Sequence, residues 1–263
     1  MAQGASVLAL SAESALRAVM PPLHACLLLL VWRGGLLGKY KAFGAYLAFS
    51  AIRGAVLSVA PIGRSVYGWI YLTTEPALWI LYGLVVLELY SLALQHYRGI
   101  ASLGRWTVTG AAAGAALVSL LSLAPDLDAT HPYPVIHLST VIGRAICSSL
   151  ALFLLLMTFF VVIFPIRLSR NAIVHTIIYS IYFLGLTAAY FVHNIFGPEV
   201  VVGVNIALGL TTVASLVGWM LLLSPQGEQV IVPNRRHWEP EDEERLLKSL
   251  DSINATLMRV ARK

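Results

Sequence analysis

The sequence predicts an all-α fold: a polytopic, seven-transmembrane-helix bundle followed by a C-terminal amphipathic helix. Three observations predict it. Only 12% of the 263 residues are charged and 58% are hydrophobic, whereas soluble domains carry about 25% charged residues. Seven segments each offer the roughly 20 mostly apolar residues that a bilayer crossing needs. After Ser224 the composition turns polar and then takes up a helical periodicity.

The seven expected spans are residues 15–32, 42–61, 76–95, 106–124, 142–164, 172–192 and 200–223. Short loops join them, so residues 1–224 form one membrane domain, 225–238 a polar connector and 239–263 the tail helix. The N-terminus lacks the basic start of a signal peptide, and Glu13 and Arg17 interrupt its first apolar stretch. An uncleaved first helix is expected.

Charge predicts orientation. Arg33, Lys39 and Lys41 follow span one, Arg98 and Arg105 follow span three, and Arg167 and Arg170 follow span five. The alternate loops hold Arg64 but also Asp126, Asp128 and Glu199. Lysine and arginine are retained on the cytoplasmic side, so the N-terminus is expected outside and the C-terminus inside a plasma (inner) membrane. Tyr67, Trp69 and Tyr71 suit one interface, and Tyr97 and Trp106 the other. The net charge of +5 is spread over these loops and forms no basic face, which excludes a nucleic-acid partner.

Glu75 and Pro76 read as the start of span three. Proline suits a first helical turn, Thr73 or Thr74 caps it, and Glu75 sits by the positive end of the helix dipole. Glu88 falls about 10 Å inside the opposite boundary and Arg53 about 18 Å beyond Lys41, at ~1.5 Å per residue. Spans two and three are antiparallel neighbours, so an Arg53–Glu88 ion pair is expected, as structural glue or as the floor of a polar cavity. His24 and His175 lie in the same half of the bundle. A His–Glu pair can relay protons, and two histidines on separate helices can ligate haem. Their unequal depths disfavour haem, and hydrogen-bonded packing histidines are expected instead. Arg144 at the other end faces a lipid headgroup or Glu75, and Asn205 is expected to hydrogen-bond across helices. Pro21 and Pro22 are expected to kink span one or delay its start.

Other chemistries find less support. Asp126, Asp128, His131 and His137 are metal-ligand types, but their spacing matches no zinc or calcium signature, so no metal is assigned. Cys26 and Cys147 sit in apolar runs and form no CxxC pair. Residues 200–223 contain no lysine, which leaves a retinal Schiff base without an attachment point. There is no HExxH and no GxSxG, which argues against a metalloprotease or an esterase.

In the tail, Leu246, Leu250, Ile253, Leu257 and Val260 follow one another at heptad spacing. Residues 239–263 hold six acids and five bases. A lipid-binding helix is instead rich in lysine and arginine on its polar face, so the seam is expected to meet a protein helix, from a second copy or from another chain. The tail pattern and the shortage of intramembrane polar residues point to a sensory or complex-assembly module embedded in the lipid bilayer. The alternatives are a small transporter or channel acting through Arg53 and Glu88, and a membrane redox enzyme using His24 and His175.

Overall fold

The computed structural model describes residues 2–59, 65–93, 134–163, 168–196, 200–228, 230–231 and 240–260. Among these residues the α-helices are α1 Ala2–Arg33, α2 Lys41–Val59, α3 Ser65–Ala93, α4 Pro134–Ile163, α5 Arg170–Phe196, α6 Val201–Leu222 and α7 Pro240–Val260. The first six are long and apolar enough to cross a membrane. Their outward faces carry exposed Leu29, Trp32, Ile80, Phe159, Ile181 and Leu221, an apolar exterior that suits lipid and not water. The chain has the architecture of a multi-pass helical membrane protein. The expected span 106–124 lies outside the described residues.

The six long helices close a ring. α1 packs on α2 and α6, α2 on α3, α3 on α4, α4 on α5, and α5 on α6. Inside the ring sits an aromatic core that includes Tyr46, Phe43, Tyr179, Phe183 and Trp219. Small residues let the helices approach, as is common for helices packed in lipid: Gly54 on α2 faces the Pro21 ring, and Gly209 on α6 faces Leu16 and Met20. A β-carbon at Gly185 would fall 2.9 Å from the Thr211 methyl group. α3 and α4 run in the same direction, because Trp79 lies beside Gly143 and Tyr90 beside Phe153.

Two expectations about helix starts are corrected. α3 begins at Ser65, not at Pro76, and Pro76 lies inside the helix. Thr73 and Thr74 therefore cap nothing. Their hydroxyls donate back to the carbonyls of Trp69, Ile70 and Tyr71, a bond that lets a hydroxyl sit inside an apolar helix. Likewise α1 continues through Pro21 and Pro22 rather than starting after them. Proline removes a backbone donor from the ladder, and in a packed membrane helix such a gap is tolerated where neighbours fill it.

Glu88 has a structural role at the opposite end of α3. Its two carboxylate oxygens accept the backbone N–H groups of Ala42 (2.9 Å) and Phe43 (3.2 Å), in the first turn of α2. The first N–H groups of any helix lack intrahelical partners, and an anion there also meets the positive end of the helix dipole. A carboxylate from one helix thus caps its neighbour. On the same side of the bundle, Ser169 caps α5 by accepting the Ala172 N–H at 3.3 Å. A two-residue antiparallel ladder, β1 Leu168–Ser169 against β2 Val230–Ile231, ties the entry to α5 to the segment that follows α6.

Candidate functional site

A cavity of about 230 Å³ opens inside the ring. α1 contributes Arg17, Met20 and His24, α2 contributes Tyr46, Ser50, Arg53, Gly54 and Leu57, and α3 contributes Tyr67, Tyr71, Glu75, Leu78 and Tyr82. Tyr182, Leu186 and Tyr190 from α5 and Thr212 from α6 complete it.

The ion pair in its wall is Arg53 with Glu75. This corrects the expected Arg53–Glu88 pair. Starting α3 at Ser65 moves Glu75 about 15 Å into the helix at ~1.5 Å per residue, level with Arg53. The antiparallel register agrees: Tyr46 meets Tyr82 at 5.6 Å between ring centroids, and Arg53 and Glu75 follow about two turns further along. The Arg53 guanidinium bonds to the Glu75 carboxylate, and its Nε donates to the Thr74 hydroxyl at 2.8 Å. The two side chains are only 13% and 5% exposed. Glu75 is therefore no helix-start residue at an interface but a buried carboxylate that needs its partner.

Arg17 forms the second charged corner. It donates to Glu13 Oε1 at 3.0 Å, and Asn205 of α6 donates to the same oxygen at 3.0 Å. Both arginines lie over tyrosine rings, Arg17 at 5.4 Å from the Tyr67 centroid and Arg53 at 5.0 Å from that of Tyr71. Such cation–π contacts hold a guanidinium in one orientation. Deeper in the bundle, the hydroxyls of Tyr82 and Tyr182 share a hydrogen bond of 2.9 Å. His24 Nδ1 lies 2.8 Å from the Met20 carbonyl. A carbonyl only accepts, so Nδ1 carries the proton and a neutral ring presents Nε2 as an acceptor. Arg144 is half-buried on α4, and the residue beside it, Gly143, faces Tyr190 and Trp79.

His175 is placed differently. It is fully buried in a box of Tyr40 and Phe43, each at 4.6 Å between centroids, with Tyr179 and Trp219 at 6.2 Å. Neither ring nitrogen has a hydrogen-bond partner among the described residues. This corrects the expectation of a hydrogen-bonded histidine. The rings of Tyr46 and Phe43 stand between His24 and His175, so the two histidines do not share a site, and His175, without a hydrogen-bond partner among the described residues, is not bonded to Glu88.

Glu228, which the sequence reading passed over, organises the end of the bundle beyond this box. It pairs with the Lys39 ammonium and accepts from the Tyr40 hydroxyl at 2.9 Å and from Asn171 Nδ2 at 2.6 Å. Asn171 also donates to the Ser224 carbonyl at 2.7 Å and accepts the Ser224 N–H at 3.3 Å. Burial, and then the Glu228 carboxylate, push the Tyr40 phenol above its ordinary range, so it stays a donor to Glu228 at any physiological pH. A β-carbon at Gly227 would overlap the Asn171 side chain, so this turn requires glycine. The knot fastens the segment that leads to the tail.

In α7, Leu250 is 3% exposed and Leu246 half-buried, whereas Ile253 is 49% exposed. Part of the seam is thus already covered within the chain. The side chains of Leu257 and Val260 lie outside the described residues, as do those of Asp126, Asp128, His131 and His137.

The box yields a prediction. Replacing a polar side chain that lacks partners with an apolar one of like shape is nearly neutral or stabilising. His175→Phe is expected to hold or raise the melting temperature of the purified protein, whereas His24→Phe lowers it. A drop for His175→Phe as large as that for His24→Phe would show that the buried ring has polar partners.

No protein-family model, no curated protein and no solved structure matches the chain.

Proposed function

We propose that the chain is a ligand-responsive membrane module, a sensory or complex-assembly protein in which the bundle cavity is the input and the tail helix the output. The observation that carries this reading is the cavity itself, charged on one side and floored by packed rings. A channel needs a continuous polar path. Here Tyr46, Phe43, Tyr179 and Trp219 fill the space toward the Lys39 end. A closed floor suits a receptor. The Glu228 knot supports the output half of the reading, because it fixes the chain that emerges from α6 and leads to α7. A transporter is the second reading. Its support is the buried Arg53–Glu75 pair in the cavity wall, since ionisable groups inside membrane proteins line transport routes.

The topology proposed with this function has seven crossings, the N-terminus outside and the C-terminus in the cytoplasm of a plasma membrane. The parallel course of α3 and α4 supports the seventh crossing. A chain that leaves α3 at one end and enters α4 at the other has to return between them, and residues 94–133 are long enough to hold a span of about 20. The basic residues Arg33, Lys39, Lys41, Arg98, Arg105, Arg167 and Arg170 support the orientation. In a variant lacking Cys26 and Cys147, a cysteine placed at Asp128 is expected to react with a membrane-impermeant maleimide from outside intact cells. Labelling only after lysis would reverse the orientation.

The output is tested by purifying the chain from its native membrane with and without residues 239–263 and identifying what accompanies each by mass spectrometry. A partner lost on deletion, with the melting temperature of the bundle unchanged, is expected. An identical set of proteins with both forms would remove the tail as the working surface and favour the transporter reading.

A further inference from the structure

The lining of the cavity specifies the chemistry of its occupant. Arg17, Arg53 and Glu75 bring two guanidiniums and one carboxylate to its lining. Glu13, which pairs with Arg17, lies outside the lining and shares its bonding oxygen with Asn205. Arg17 Nη1 is buried and has no hydrogen-bond partner among the described residues. A buried donor without an acceptor is costly, and an arginine fork is shaped to meet two oxygens of one acidic group. The Tyr67 ring holds that fork in place. The remaining wall is mostly apolar or aromatic, with Met20, Leu57, Leu78 and Leu186, interrupted by Ser50, Thr212 and His24. An apolar cavity of ~150 Å³ takes a benzene-sized molecule, so a volume of about 230 Å³ limits the enclosed part of an occupant to on the order of ten non-hydrogen atoms.

We infer that the cavity binds the anionic group of a small amphipathic molecule, a carboxylate or phosphate received by Arg17 with its apolar body among the tyrosine rings. Neither a cation nor a neutral apolar molecule brings an acceptor to Arg17 Nη1. The acid group has two sources, a soluble organic acid or the headgroup of an anionic lipid. This inference deepens the ligand-responsive reading and rests on it for the meaning of binding, not for binding itself.

The test uses the full chain in nanodiscs of phosphatidylcholine, with benzoate as the probe and benzamide as its uncharged isostere. Benzoate is expected to raise the melting temperature in a saturable way, benzamide to leave it unchanged, and Arg17→Gln to weaken benzoate at least tenfold. In a second arm, nanodiscs containing phosphatidylglycerol are compared with phosphatidylcholine alone. Stabilisation by phosphatidylglycerol that depends on Arg17 and blocks benzoate assigns the acid group to lipid. Equal effects of benzoate and benzamide would overturn the inference, as would no effect of either benzoate or phosphatidylglycerol. The contrast of benzoate with benzamide on the unaltered chain decides the matter even if Arg17→Gln does not fold. Anion binding without a tail-dependent partner would count against the module reading alone. A tail-dependent partner without anion binding would count against this inference alone.

Discussion

The buried pair of Arg53 and Glu75 constrains the rest of the bundle. An arginine and a glutamate well inside apolar helices are tolerated only together, because either one left alone is a charge in a medium that cannot solvate it. Their contact fixes the register of α2 against α3. That register in turn brings Tyr46 to Tyr82 and sets Glu88 over the start of α2. With α2 and α3 locked, Arg53 lies over Tyr71 and one wall of the cavity is set.

The carboxylates of the chain divide the work by position. Glu13 and Glu75 hold arginines at the cavity. At the other end Glu88 caps the start of α2, and Glu228 gathers Lys39, Tyr40 and Asn171. Between the two polar ends lies a column of packed rings in which His175 is treated as one more ring. This arrangement separates a charged cavity from a polar anchor for the tail by an apolar stretch. On the proposed module reading, a change at the cavity would reach the anchor through shifts of whole helices, since the rings between them are close-packed.

Most of the architecture was legible in the sequence, because hydropathy reports directly on which segments lipid accepts. Six of the expected spans correspond to described helices, with edges displaced by a few residues at most positions. The pairing was not legible, and the reason is local. Pro76 resembles a helix start, and treating it as one placed Glu75 at an interface and left Glu88 as the only partner for Arg53. Tyr71 and the back-bonding threonines before it, YLTT, are polar enough to mimic a loop while forming about one turn of helix. The cavity drew on residues the sequence offered only faintly. Glu13 and Arg17 stand one turn apart, a spacing that signals an ion pair on one helical face. Glu228 and Asn171 gave no signal, since each lies beside a span end where polar residues are ordinary, and only the antiparallel meeting of α5 and α6 brings them together.

The register of α2 against α3 requires that Arg53 and Glu75 form an energetically coupled pair. A double-mutant cycle with Arg53→Leu, Glu75→Leu and the double variant, followed by reversible unfolding in detergent, measures it directly. Each single variant is expected to lose about 3 kcal/mol or more, because a buried charge is left alone, and the double variant to recover much of the loss. Additive losses in the double variant, with a coupling energy near zero, would contradict the pairing and detach the cavity wall from the register of the bundle.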